Sequence, residues 1–284
     1  MKRSIVLVFA VMFLGKSFAQ QQTQKIVLDK NQQLNFISTV KGNMDQEYMG
    51  MSIDMDLNVS SDKNISVKEK KSENYLIDYT TKHLKMDVVL ADQRTTFDSD
   101  NKNDMKSEMN DLARDINVAK KYSLDHKGQS IALDTINKTT TKEATPNPMS
   151  GLLDQMISNE TEQGTLESYF MLLNSDKKIG STWQDSIVNS NNKRHTSFKW
   201  DSTINNIAII KITQKINNKI KSEMMGLEVE MDITNDVQET RQVNLSSGII
   251  ERKTSINKMS GTADVMGISM PITGTVTNTV ELKQ

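Results

Sequence analysis

Three histidines are the residues best suited to proton transfer or metal binding, and they stand far apart in the sequence. His83, His126 and His195 each have a lysine or arginine as an immediate neighbour. Metal sites usually draw two or three ligands from close spacing, and adjacent positive charge opposes a divalent cation. We therefore expect each histidine to be structural or exposed, and we expect no metal and no cofactor.

Paired carboxylates are the second candidate for chemistry. Asp54 and Asp56 have a spacing that a glycosidase could use, but they alternate with apolar residues, which predicts the polar face of a strand. Residues 98–104 carry the aspartates of a calcium loop. However, Lys102 occupies a ligand position and no glycine makes the sharp turn. We therefore expect a solvated strand face and a solvated loop.

Nucleophilic catalysis has little support in the sequence. The chain contains no cysteine, and no serine stands in the Gly-x-Ser-x-Gly elbow of hydrolases. An enzyme would need some of Asp54, Asp56, His83 and His195 to converge from distant positions. The sequence therefore predicts no catalytic residue and a protein that is not an enzyme.

Strict alternation of apolar and polar residues is the strongest structural signal. Successive side chains of a strand point to opposite faces, so this pattern predicts half-buried strands. It runs from Met49 to Val59 and from Met225 to Ile233, and it returns more weakly from Met266 to Ile272. The apolar positions of the two stronger segments are Met49, Met51, Ile53, Met55, Leu57 and Val59, and Met225, Leu227, Val229, Met231 and Ile233.

Further extended segments surround these strands. The predicted fold class is mainly β: antiparallel meander sheets, with a half-open barrel as one form, and a few short helices. Residues 246–248 and 127–128 are expected to form hairpin turns around their glycines. The additional strands are expected at residues 33–40, 64–70, 74–90, 121–133, 194–200, 204–214, 237–245, 248–258 and 274–282. Apolar spacing predicts helices over residues 104–119, over residues 149–157, and from Gly164 through Leu166, Phe170 and Leu173.

The chain is expected to form two related β lobes. Residues 47–57 and 223–233 are identical at five of eleven aligned positions, which suggests an internal repeat. Alternation alone is the competing explanation, because it generates part of this similarity. The expected units are a signal peptide at residues 1–19, an N-terminal lobe with one helix at 25–140, a linker with a short helix at 141–164, and a C-terminal lobe at 165–284.

Residues 1–19 have the parts of a cleavable secretory signal peptide. Lys2 and Arg3 precede a ten-residue apolar run, and a small residue, Ala19, precedes the expected cleavage site. The run is shorter than the roughly 20 residues of a membrane span. We therefore expect export to the periplasm or beyond the cell, with no transmembrane segment. Loss of the three basic residues of the signal changes the formal net charge from −1 to −4, which disfavours nucleic acid as a partner.

Methionine is the one compositional feature that suggests a function. Of 18 methionines, 16 lie outside residues 1–19, and flexible thioethers adapt to varied apolar ligands. The competing interpretation is that these methionines fill an ordinary core. The apolar face expected to bind a ligand comprises Met49, Met51, Ile53, Met55, Met225, Leu227, Val229 and Met231.

Several local patterns also resemble a known family. They are Ala19-Gln20 at the end of the signal, Phe97-Asp98-Ser99, the segment from Phe170 to Asp176, and the turn from Ile179 to Trp183. Together they are similar to exported β-rich proteins of unknown function that are common in Bacteroidota, the domain of unknown function 6263. The resemblance implies export from a Gram-negative cell and supplies no activity or site residue.

The expected function is non-enzymatic binding. The partner is unknown, with a lipid or a protein of the cell envelope as the candidates, and the protein would be a carrier or binding module for it. The alternative is a structural or assembly protein of the envelope with a filled core. A cavity lined by the apolar face would distinguish the two.

Overall fold

The computed structural model describes residues 25–48, 51–104, 114–133, 162–189, 192–224, 227–265 and 267–283. Most of these residues lie in antiparallel strands, which confirms the mainly β fold class. The helix that the structure describes is α1 (Glu162–Glu167). The strands are β1 (Gln33–Tyr48), β2 (Met51–Lys70), β3 (Asn74–Leu90), β4 (Gln93–Asp98), β5 (Lys120–Asp125), β6 (Ser130–Ala132), β7 (Thr182–Val188), β8 (Asn192–Ile204), β9 (Ile207–Met224), β10 (Leu227–Asn244), β11 (Ile250–Val265) and β12 (Ile268–Lys283).

The strands form one 12-stranded sheet. Its order is β6-β5-β3-β2-β1-β12-β11-β10-β9-β8-β7, with β4 beside β3. The first and last strands, β1 and β12, join the two halves by pairing from Asn35↔Lys283 to Gln46↔Ile272. Among the described strands, β6 and β7 stand at the two ends of this order and do not pair with each other, so the sheet is open. Both expected lobes contribute to this sheet, and their division stays a prediction.

Alternation gives the sheet one buried and one exposed face. Directly paired residues of antiparallel strands share a face, so Met55, Met44 and Gly274 lie on the same side. Met44 and Met55 are buried, whereas Asp54 and Asp56, between the apolar positions of β2, are exposed. The expectation that these carboxylates form the polar face of a strand is therefore confirmed.

Three pairs of neighbouring strands have a Met-Gly step between them in the sequence. Pairing of Tyr48 with Met51, of Met224 with Leu227 and of Val265 with Ile268 joins β1 to β2, β9 to β10 and β11 to β12. The strands predicted from Met49 and from Met266 begin in the structure at Met51 and Ile268, and Gly267 lies in a turn. Alternation on either side of a two-residue connection looks continuous in sequence, which explains the difference. Met51, Leu227 and Ile268, where the second strand of each pair begins, lie at the same end of the sheet, which we call the hairpin edge.

The expected helices are shorter or differently placed in the structure. Residues 114–119 form turns and a bridge from Ile116 to Thr81, so the end of the expected 104–119 helix is not helical. Residues 105–113 and 149–157 lie outside the described residues. α1 ends at Glu167, and Phe170 instead bridges Ile249. Periodicity failed there because buried residues after a helix can continue its apolar spacing by chance.

Segments outside the sheet pack at the end opposite the hairpin edge. Ile26 is fully buried, and its carbonyl oxygen accepts a hydrogen bond from the hydroxyl of Tyr75 at 2.9 Å. Tyr169 follows α1 and stacks on Phe36 with 4.2 Å between ring centroids. Among the described residues, no helix has the length and apolar character needed to cross a bilayer.

Candidate functional site

Methionines from both halves of the sheet meet on its buried face. We call this group the methionine cluster, and it belongs to one contiguous apolar core with residues such as Ile233, Ile272 and Phe97. Met55 is 1% exposed and Met231 is 7% exposed. Alternation in the sequence identified Met55, Met231 and Met270, but it did not identify Met44, Met86 or Met259. The methionine cluster consists of Met44, Met55, Met86, Met231, Met259 and Met270.

The structure places only part of the expected ligand-binding face. Met55 and Met231 belong to the methionine cluster, and Ile53 is half-buried on the same face. Met51, Leu227 and Val229 lie in β2 and β10 at the same alternate positions. Met49 and Met225 lie outside the described residues. The role of these eight residues in binding stays a prediction.

A group of polar residues continues the buried face away from the hairpin edge. We call it the polar layer; it lies on β10, β11 and β12. Glu239 and Arg241 form an ion pair with side-chain exposures of 10% and 18%. Lys253, directly opposite Arg241, donates a hydrogen bond to the hydroxyl of Ser168 at 3.2 Å. The polar layer consists of Asn235, Glu239, Arg241, Lys253, Asn257 and Asn278.

Two asparagine oxygens of the polar layer have no hydrogen-bond donor. Asn257 donates its Nδ2 to Oδ1 of Asn235 at 2.9 Å, which satisfies one end of the Asn257 amide. The Oδ1 atoms of Asn257 and Asn278 are buried and accept no hydrogen bond within the described part of the protein. Unpaired buried acceptors are costly, so these two oxygens identify a place where a donor group would be favourable.

The exposed face carries a depression of about 460 Å³ across β12, β1, β2 and β3. Most of the residues that line it are of polar or charged types, and they include Lys41, Asp56 and Asp87. Arg94 donates hydrogen bonds of 2.9 Å and 2.6 Å to the carboxylate of Asp87 and lowers the pKa of that carboxyl group. The methionine cluster does not line this depression.

His83 meets two aspartates where β3 and β4 pair. Its Nε2 lies 3.1 Å from Oδ1 of Asp98 and 3.5 Å from Oδ2 of Asp100, and the three ligand atoms could hold a cation. Lys85 Nζ lies 3.6 Å from the other oxygen of Asp98 and opposes a divalent ion. The backbone N–H of Asp100 and then His83 lower the pKa of Asp98. Hydrogen bonding of His83 to Asp98 and the ion pair of Lys85 with Asp98 therefore connect β3 to the end of β4.

Sequence reasoning missed this cluster although a signal for it was available. Ala91 and Asp92 both have positive φ and connect Leu90 to Gln93. A two-residue turn at that place sets the register, which pairs Lys85 with Asp98. Counting back from the turn would have brought His83 near residues 98–100.

The other histidines and the expected acidic partners stay apart. His126 lies 3.0 Å from the carbonyl oxygen of Ser72, and His195 lies 2.8 Å from the hydroxyl of Ser186 on the exposed side of β7 and β8. His83 pairs with Asp62, six residues along β2 from Asp56, or roughly 20 Å at about 3.3 Å per residue. His195 lies on β8, near the other end of the sheet order. Asp54, Asp56, His83 and His195 therefore do not converge.

Comparison with known proteins identifies a family and also finds distant structural likeness to solved proteins. No curated protein matches the sequence significantly. A crystal structure of an outer membrane channel from Pseudomonas putida F1 aligns with a TM-score of 0.25 and 8% identity, covering 92% of this chain and 98% of that chain. The model of a family of unknown function, DUF6263, matches residues 72–250, and because this match covers more than half of the chain, the protein belongs to that family.

Proposed function

We propose that this protein is exported and serves as a non-enzymatic binding or carrier protein for an apolar ligand. The observation that supports the proposal most is the methionine cluster. Its members come from β1, β2, β3, β10, β11 and β12, so strands distant in sequence present thioethers to one place. Methionine side chains are unbranched and polarizable, and they repack around ligands of different shape.

Binding at this place requires the cluster to open. Met55 and Met231 are almost completely buried in the structure, so an apolar chain would have to displace their mutual contacts. The gain is about 0.8 kcal/mol for each buried methylene, or about 8 kcal/mol for about ten of them, before the costs of association.

Export and the two-lobe organisation belong to the same proposal. Lys2, Arg3, the apolar run and Ala19 support removal of residues 1–19 and a location in the periplasm or outside a Gram-negative cell. The Met-Gly step between paired strands in each half supports two related lobes, at residues 25–140 and 165–284.

Native mass spectrometry of the protein purified from exporting cells tests both parts. We expect a chain beginning at Gln20, together with a stoichiometric apolar molecule that organic solvent extracts. A chain that retains residues 1–19 in the exporting cell would contradict the expected cleavage. A bare chain that also fails to bind diphenylhexatriene, an uncharged apolar fluorophore, would contradict the carrier function.

A pair of variants tests where the apolar probe binds. Met231→Gln keeps the length and flexibility of the side chain but places an amide in the methionine cluster. We expect it to weaken diphenylhexatriene binding about tenfold, the effect of roughly 1.4 kcal/mol. Asp232→Gln introduces the same residue one position along β10, on the exposed face, and we expect unchanged binding. Equal affinity of both variants and the parent protein would place the probe elsewhere.

A structural or assembly role in the envelope is the second candidate. The low exposure of the methionine cluster supports it, because a filled core needs no ligand. This role predicts a bare chain in native mass spectrometry and co-purification with another envelope protein at constant stoichiometry.

A further inference from the structure

We infer that the ligand is an amphiphile with an anionic, hydroxyl-bearing head, which binds at the polar layer while its apolar chain lies along the methionine cluster. This inference rests on the proposed function and names the ligand class for the same buried face. The inference depends on the polar layer, because an entirely apolar ligand would form no hydrogen bond or ion pair with its side chains.

The first observation is the pair of buried oxygens without donors. The Oδ1 atoms of Asn257 and Asn278 lie on neighbouring strands and on the same face, because Asn278 pairs with Ser255, two residues from Asn257. Both atoms are acceptors, so the complementary group must donate hydrogen bonds. A head with two hydroxyl groups supplies such donors within a small volume.

The second observation is the placement of two cations. Arg241 on β10 and Lys253 on β11 are directly paired and share the buried face. Like charges directly opposite each other on a ladder are unfavourable. Glu239 forms an ion pair with Arg241. An anionic head near Lys253 and Arg241 would offset the repulsion between these two opposed cations.

The third observation is that the polar layer adjoins the methionine cluster without interruption. Asn278 and Met270 occupy the same face of β12, eight residues apart, or roughly 26 Å at about 3.3 Å per residue. Val276 and Ile272, between them on that face, are buried and apolar. A head at Asn278 would therefore place its chain toward the hairpin edge, in contact with apolar residues along its length.

Short-chain lipids with identical tails test the head group. The protein is stripped of any bound lipid, and dihexanoyl phosphatidylglycerol and dihexanoyl phosphatidylcholine compete against diphenylhexatriene. Phosphatidylglycerol has a net negative charge and two free hydroxyl groups, whereas phosphatidylcholine has neither. We expect phosphatidylglycerol to bind at least tenfold more tightly.

Asn278→Val tests the contact itself. It replaces an unpaired buried acceptor by an apolar group, so we expect an unchanged or higher melting temperature together with about a tenfold loss of phosphatidylglycerol affinity. Binding of diphenylhexatriene should not change. Thr279→Val makes a similar substitution at the next position, on the opposite face, and should affect neither measurement. Asn278→Asp, which preserves size and repels an anionic head, gives a second test if the valine variant fails to fold.

The outcomes separate this inference from the proposed function. If diphenylhexatriene binds but the two lipids compete equally, the head-group assignment is wrong and the carrier function stands. If Asn278→Val lowers the melting temperature and leaves the preference between the lipids unchanged, Asn278 is structural and the assignment is also wrong. If diphenylhexatriene does not bind the parent protein, the carrier function itself fails.

Discussion

Glu239 and Arg241 form an ion pair within one strand, β10, with both side chains on the buried face of the sheet. Removing one partner of such a pair leaves a buried charge without compensation, which costs about 3–5 kcal/mol. We therefore expect Arg241→Met to lower the free energy of unfolding by that amount in urea denaturation.

The double variant Glu239→Gln/Arg241→Met is the control for this prediction. It removes both charges, so most of the lost stability should return. Equal destabilisation of the single and double variants would show that packing of the Arg241 side chain, and not the buried charge of Glu239, explains the loss.

Gly261 on β11 lies where the backbone of β10 approaches closely. A Cβ atom at Gly261 would contact the carbonyl oxygen of Asp232 and would lie 2.9 Å from Cα of Ile233. Backbone atoms cannot move aside cheaply, so we expect Gly261→Ala to cost about 1–3 kcal/mol in chemical denaturation. Ser260→Ala, at the neighbouring exposed position, should change stability by less than about 0.5 kcal/mol. Equal effects of the two variants would mean that the strands separate to accept the methyl group.

Asp98 gives the stability of the protein a defined pH dependence. The backbone N–H of Asp100, followed by His83, lowers the pKa of Asp98 in the folded state. A lowered folded-state pKa gives stability that is present above the unfolded value, about 3.9, and is lost as pH falls through the folded value. We therefore expect the parent protein to be more stable than Asp98→Asn at pH 6, with the difference shrinking toward pH 2.

His83→Gln separates the two causes of that pKa shift. The hydrogen bond from the backbone N–H of Asp100 remains in this variant. At pH 6, the melting temperature of His83→Gln should therefore exceed that of Asp98→Asn by less than the parent protein does, but the difference should persist. Thermal melts of the three proteins between pH 6 and pH 2 provide the measurement. A constant difference across this range would contradict the assignment to Asp98 ionisation.

Much of the fold could be predicted because alternation is a local property. The expected strand at 74–90 matches β3 at both ends, and the positions expected to be buried on β2 and β10 include Met55 and Met231. The family expected from short motifs was also correct. Continuity between the halves was not predictable, since pairing of β1 with β12 joins residues more than 200 positions apart without a local signal.

The candidate site was predictable only in its apolar part. Alternation identified Met55, Met231 and Met270 of the methionine cluster, but it carried no information about polar residues on the same face. Arg241 and Lys253 look like solvated charges in sequence, and only the register of β10 and β11 places them together on the buried side. Asn278 could not be recognised from the sequence either, because whether its Oδ1 atom has a hydrogen-bond donor depends on the residues that surround it in the fold.

The pairing of β1 with β12 predicts that the two halves hold together without a covalent link. A specific protease site inserted between Ala144 and Thr145 would cut the chain between the proposed lobes. The ladder from Asn35↔Lys283 to Gln46↔Ile272 supplies backbone hydrogen bonds along most of both strands, and Val40, Val276 and Val280 bury apolar surface beside it. We expect the cut protein to elute from a sizing column as one species and to separate only in denaturant. Elution of two folded fragments in native buffer would instead show that each lobe is stable alone and that this pairing is weak.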